Sequence, residues 1–218
     1  MADGRLYVHV LLDRSGSMED CRDKTIDAFN EYVNSLKCLS NAGTRLSLTT
    51  FDSESVDIVF DAMRIADVPK LTRETFVPRG RTPLFDALGQ VVAHVDKVNT
   101  LPDERVALAI LTDGLENAST EYKAETVRKL LTDRQERKNW LVLYLGANQD
   151  AWAAGAQIGA GKELSMAFDT GHIGAAMQSV AASIGRYRSA PASAARREAA
   201  FTAAERRRSM GKPEGGNA

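Results

Sequence analysis

Two runs constrain the fold of this chain more than anything else in it. Residues 106–112 (VALAILT) and 140–145 (WLVLYL) are almost continuously apolar. Each has the length of a strand, and neither has a polar face. A strand of this kind must be covered on both sides, which is the condition of a parallel sheet flanked by helices.

The segments around these runs alternate between strand and helix. Strands are expected at 5–12, 45–51, 56–60, 106–112, 140–145 and 164–168. Helices are expected at 19–39, 83–98, 121–136, 150–158 and 173–187. In the helix at 19–39, Ile26, Phe29, Val33 and Leu36 share one stripe, opposite Asp23, Lys24, Asp27, Asn30, Glu31 and Asn34. The polar turn at 52–54 is too short for a crossover, so the strands on either side of it form an antiparallel hairpin. Residues 62–81 make a long polar connection. The expectation is an α/β fold of Rossmann-like, doubly wound type. Its sheet is mostly parallel with one antiparallel edge hairpin strand, and helices cover both faces.

Apolar residues are 44% of the chain and charged residues 26%, enough to bury a real core. No apolar run reaches the roughly 20 residues of a membrane helix. Structure begins about five residues in, which leaves no room for a signal peptide. Cys21 and Cys38 fall 17 residues apart in one expected helix. That is about 25 Å, beyond disulfide reach, so both read as reduced thiols and the setting as cytoplasmic. Residues 186–218 carry eight Lys/Arg against three Asp/Glu, net +5, leaving −6 on residues 1–185. The organisation read from this is a domain over 1–188 and a basic, Ala/Arg-rich C-terminal tail over 189–218, with a helix around 194–209. Arg196, Arg197, Arg206, Arg207 and Arg208 make the tail a candidate contact for phosphate. It lacks interleaved aromatic residues beyond Phe201, so it offers no base-stacking platform. Trp140 and Trp152 are read as core or near-core, and His9 as a packed or edge residue of the first strand.

The chemistry gathers at strand exits. Asp13, Ser15 and Ser17 follow the first strand in LLDRSGSM. Thr82 precedes a helix in GRTPLFDAL, and Asp113 follows the 106–112 strand in LTDG. Ligands of open α/β sheets sit outside the carboxyl ends of the strands, where strand order reverses. If the two strands are neighbours, three hydroxyls and two carboxylates converge there. That hard-oxygen set suits a Mg²⁺-type octahedral ion. Taken singly, each has an ordinary reading: Ser17 with Asp20 as a capping box, Thr82-Pro83 as a helix start, Asp113-Gly114 as a turn. Caps do not account for Asp13 and Ser15 as well.

Asp13-x-Ser15-x-Ser17, then Thr82, then Asp113, in this order and these contexts, resembles the von Willebrand factor type A family over about residues 5–187. The resemblance implies a metal-ion-dependent adhesion site holding Mg²⁺ or Mn²⁺. Ser15, Ser17 and Thr82 would supply hydroxyls, Asp13 and Asp113 would act mainly through water, and a partner protein would offer an Asp or Glu. Arg81 stands where many members have a small glycine, beside the metal. Glu116 and Asn117 are candidates for the rim. The family further implies a non-enzymatic protein-interaction module. Stand-alone bacterial members work beside MoxR-type AAA+ ATPases, or beside kinase and phosphatase partners in stress responses. Some members switch by movement of a last helix, here 173–187.

Rival motifs fit less well. A haloacid dehalogenase-type phosphatase needs a carboxylate at position 15. A serine hydrolase needs a Gly-x-Ser-x-Gly elbow, and the first glycine is missing before Ser15. AQIGAGKE at 156–163 lacks the first glycine and the final Ser/Thr of a phosphate-binding loop. Two alternatives stay open from the sequence: a metal-dependent phosphatase or hydrolase using the same cluster, and a nucleic-acid-associated protein acting through its tail.

Overall fold

The structure is a computed structural model. It describes residues 5–39, 43–99, 101, 103–137, 139–147 and 150–213. The outer ends of the expected domain and tail, 1–4 and 214–218, lie outside the described residues. The strands are β1 (Leu6–Asp13), β2 (Thr44–Phe51), β3 (Val56–Arg64), β4 (Arg105–Thr112), β5 (Trp140–Ala147) and β6 (Ser165–Phe168). They form one sheet in the order β3-β2-β1-β4-β5-β6, parallel throughout except for the edge strand β3. The helices are α1 (Arg22–Leu39), α2 (Leu84–Val98), α3 (Ala124–Arg137), α4 (Ala151–Gln157), α5 (Ile173–Ser189), α6 (Ala195–Glu198) and α7 (Ala203–Ser209).

Alternation along the central strands divides the core in two. Leu6, Val8, Val10 and Leu12 of β1 face α1 and α5, together with Ala107, Ala109 and Leu111 of β4 and Leu141, Leu143 and Leu145 of β5. The other face carries Tyr7 and Leu11, Val106, Leu108 and Ile110, and Trp140, Val142 and Tyr144, against α2, α3 and α4. Apart from Arg105 at the start of β4, these strands are buried along their whole length, as their unbroken apolar runs require. His9 is wholly buried in β1 rather than at an edge. Its Nε2 lies 2.9 Å from Thr49 Oγ1, and burial lowers its pKa to about 3, so the ring is neutral.

Three expectations need correction. The helix expected at 19–39 starts as a 3₁₀ turn, Gly16–Cys21, and becomes α-helical only at Arg22. Cys21 therefore sits in that turn, buried, while Cys38 is exposed on α1; both are free thiols. Trp152 is not near-core: 46% of it is exposed. α4 is short, and this ring lies on its outer side beneath the Lys162 ammonium, 4.1 Å from the ring centroid. Among the described residues no helix is long and apolar enough to cross a membrane.

The basic C-terminal segment lies on the domain rather than extending from it. Two short helices replace the single one expected around 194–209, because Phe201 breaks away to bind Glu163 O through its N–H. Ala195, Ala199 and Phe201 are buried in the same cluster as α1 and α5. Thr202 and Glu205 close a reciprocal capping box at the start of α7. Arg186 of α5 donates to the carbonyls of Glu198 and Ala200 and pairs with Glu205, which is 3% exposed. Arg206 donates to the carbonyls of Lys162, Glu163 and Ser165 at β6. Arg105 closes the C-terminal end of α5 through the carbonyls of Tyr187, Arg188 and Ala190.

Glu205→Ala removes the carboxylate that neutralises Arg186. Hydrogen bonds to charged groups contribute about 1.5–3 kcal/mol, so unfolding free energy should fall by about 2 kcal/mol in urea titration followed by circular dichroism. Arg207→Ala, on an exposed side chain, should change it by less than about 0.5 kcal/mol.

Candidate metal centre

β1 and β4 are neighbours in register, Leu12 opposite Leu111. Their continuations, Asp13 and Asp113, therefore emerge at the same edge of the sheet. Asp13 is fully buried. Its Oδ1 accepts the Ser15 N–H at 2.7 Å, and its Oδ2 accepts the Thr112 hydroxyl. Ser15 Oγ lies 3.1 Å from Ser17 Oγ, and Ser17 Oγ donates to Asp113 Oδ1 at 2.7 Å. Four of the five sequence candidates thus form one connected group.

Thr82, the fifth, is buried against Gly114. A Cβ on Gly114 would stand 3.0 Å from Thr82 Oγ1 and 3.9 Å from Asp13 Oδ2. The glycine is there for space, since its side of the turn is filled by the threonine hydroxyl. Asn117 brackets the same threonine. Its Oδ1 accepts the Thr82 N–H at 3.0 Å, and its own N–H donates to Thr82 O.

None of these hydroxyls serves as a helix cap. Ser15 starts the 3₁₀ turn without a side-chain cap bond, and Pro83 stands at the start of α2 likewise. Burial pushes the Asp13 carboxyl up to about 6, against the pull of the Thr112 and Ser15 donors. Burial also raises Asp113, with the Ser17 hydroxyl opposing it. Two desolvated carboxylates beside three hydroxyls make a donor set that fits a hard divalent cation. Among the described residues no group of three His, Cys, Asp or Glu offers an alternative metal site.

The site rests on a clamp that sequence reading missed. Arg14, between Asp13 and Ser15, is 7% exposed and points the other way. It donates to Asp52 Oδ2 and Asp57 Oδ2 at 2.7 Å and to Ser55 Oγ at 2.9 Å. Arg79 joins it on Asp52 and Ser55, and the Arg79 N–H donates to Arg14 O. Gly80 follows in the left-handed region at φ +66°, where Ser53 Oγ would stand 2.5 Å from any Cβ. Its carbonyl accepts the Gly16 N–H. The loop carrying Thr82 is thereby laid along the loop carrying Ser15. No spacing rule connects Arg14 to Asp52; the hairpin of β2 and β3 brings them together.

Arg81 is exposed on that loop, and its N–H donates to Ser53 Oγ. Glu116 turns back into its own loop. It accepts from the N–H groups of Phe85, Ala118 and Ser119 and from the Ser119 hydroxyl. Asp86 was also missed. It accepts the N–H groups of Thr120, Glu121 and Tyr122 and fastens the loop after β4 to α2.

No protein-family model and no curated protein matches the sequence. Solved structures do. Proximal thread matrix protein 1 from the mussel byssus aligns with a TM-score of 0.60 at 16% identity, over 84% of this chain and 46% of that one. The vWF domain of the type V pili tip protein Mfa5 from Porphyromonas gingivalis gives 0.59 at 14% identity, over 84% and 96%. The chain has the von Willebrand factor type A fold. Manganese-loaded TRAP protein from Plasmodium vivax, at 0.59 and 18% identity, covers 80% of this chain and 72% of its own. The chain spans less than half the length of the mussel protein. At these identities the likeness to other von Willebrand factor type A structures is one of fold.

Breaking a buried ion pair by removing one partner costs about 3–5 kcal/mol, so Arg14→Ala should be among the more destabilising substitutions in this chain. Burial works against the Asp52 carboxylate. The N–H groups of Glu54 and Ser55 and the two guanidinium groups outweigh it and hold its pKa below the ordinary carboxylate range. A carboxylate with a depressed folded pKa stabilises fully above its unfolded pKa, and that contribution is lost as pH falls through the folded value. The gap between wild type and Asp52→Asn in urea unfolding should be widest near neutral pH. It should close as pH drops below about 4.

Proposed function

We propose that this chain is a non-enzymatic, metal-dependent protein-interaction module. Ser15, Ser17 and Thr82 would hold a divalent cation, Mg²⁺ or Mn²⁺, with Asp13 and Asp113 balancing its charge. An Asp or Glu of a partner protein would complete the site. One observation carries the reading: three hydroxyls, none of them capping a helix, meet one buried and one half-buried carboxylate, Asp13 and Asp113, at the β1–β4 edge. Neighbours in fold lend support, one solved with a "zinc occupied MIDAS motif" and another manganese-loaded.

When bound, the cation supplies a positively charged face for an incoming carboxylate. The protein supplies the rest. Asp13 is held from both sides by Ser15 and Thr112, so its position does not depend on an ion. Asn117 fixes the backbone of Thr82, and the Arg14–Asp52–Arg79 clamp fixes the loop before it. Neutral hydroxyls would make the direct contacts and the two carboxylates would act mainly through water, so the cation would keep charge for one further anionic ligand. Arg81, exposed beside Thr82, would steer an acidic partner toward it.

A hydrolase reading needs a base beside the same cluster. Glu116, in the loop after Asp113, is committed to backbone and serine donors. His9 is buried within the sheet, and His94 pairs with Asp61. The finer reading, a cytoplasmic bacterial adaptor beside an AAA+ ATPase or a kinase–phosphatase system, follows the family resemblance.

Calorimetric titration of Mg²⁺ and Mn²⁺ into chelator-stripped protein should show one saturable site. Asp13→Ala and Thr82→Ala should abolish it or weaken it at least about tenfold, the loss expected when a ligand or its support is removed. Absence of binding in the wild type would overturn the metal assignment. Phosphatase turnover that disappears in Asp13→Ala would overturn the non-enzymatic one.

A further inference from the structure

A cleft of about 180 Å³ opens between the start of α2, α4 and the loop after β4. Leu84 and Phe85 of α2 form one wall, Leu115 another, and Tyr144, Ala154 and the polar Gln157 also line it. Both walls grow out of the site's own loops. Leu115 is two residues past Asp113, and Leu84 is two residues past Thr82. An extended chain spans at most about 3.6 Å per residue, so the backbone of each wall begins within about 7 Å of a site residue. Leu115 is 65% exposed, the largest exposure among the large apolar side chains of the described residues. Glu116 borders the cleft, but its carboxylate is consumed by four hydrogen bonds, so it presents no unmatched charge to an apolar guest.

We infer that this cleft is a specificity pocket of the same interaction site. It takes one apolar side chain (Leu, Ile, Met or Phe) lying one to three residues from the partner's metal-binding Asp or Glu. The spacing follows from a rise of about 3.3 Å per residue in an extended segment. The volume suits one side chain and not a second segment of structure. The inference rests on the proposed metal-dependent interaction. The cation would provide the anchor common to all acidic partners, and the cleft would choose among them.

The test is selection from a displayed library of random 12-residue peptides with a fixed central Asp or Glu, on the full chain, in Mn²⁺ and in chelator. Chelator-sensitive binders enriched in Leu, Ile, Met or Phe within three residues of the acid are expected. Changing that residue to Ala should weaken binding at least about tenfold, the scale of burying one apolar side chain. Leu115→Ser, on an exposed side chain, and Ala154→Phe, which fills the cleft, should erase the preference. Calorimetric Mn²⁺ affinity should stay unchanged in both, which shows that the variants are folded. Chelator-sensitive binders without an apolar preference, or a preference surviving both variants, would overturn the pocket and leave the metal reading standing. Failure to obtain any chelator-sensitive binder would overturn both.

Discussion

Parallel pairing of β1 with β4 is the constraint on which the candidate site depends. The chain leaves β1 for α1 on one face of the sheet and leaves β4 for α3 on the other. The two loops splay apart and leave a crevice at the carboxyl edge, the place where open α/β sheets bind ligands. Because Leu12 lies opposite Leu111, Asp13 meets Thr112 and Asp113 without any further adjustment. A sheet that inserted another strand between β1 and β4 would separate the carboxylates by about 5 Å more and dissolve the cluster.

One dipeptide serves both the site and its foundation. Successive side chains at the end of a strand point in opposite directions. Asp13 turns toward β4 and the serine loop, while Arg14 turns toward the β2–β3 hairpin. There Arg14 and Arg79 share Asp52, a buried carboxylate fully matched by two backbone N–H groups and two guanidinium groups. A buried charge left half-matched would destabilise the fold, so this network is either complete or costly. Being complete, it holds the Thr82 loop to the Ser15 loop rigidly enough for hydroxyls from distant parts of the chain to converge.

The C-terminal segment shows the same economy in a different place. From the sequence its arginines are a candidate contact for phosphate. Arg206 instead serves the carbonyls around β6, while Arg186, from α5, binds those before α7. β6 is a short edge strand, and Ser209 also reaches its Ala167 carbonyl. The segment covers an edge that would otherwise present unpaired backbone groups.

Much of the architecture was legible from residue pattern alone. The unbroken runs at 106–112 and 140–145 demanded cover on both faces, and the four-residue link before β3 demanded a hairpin. Asp13, Ser15, Ser17, Thr82 and Asp113 stood out as candidates because their positions at strand exits and a helix start are properties of local order. Local order also misled. It extended α1 back through the 3₁₀ turn, buried Trp152, and drew the arginine-rich end as a tail. What only the tertiary structure decided was partnership: Arg14 with Asp52, Asp86 with the loop after β4, Gly114 with Thr82. These contacts join residues 32 to 38 positions apart through strand pairing and helix docking, and nothing in periodicity or spacing encodes which side chains such packing will bring together.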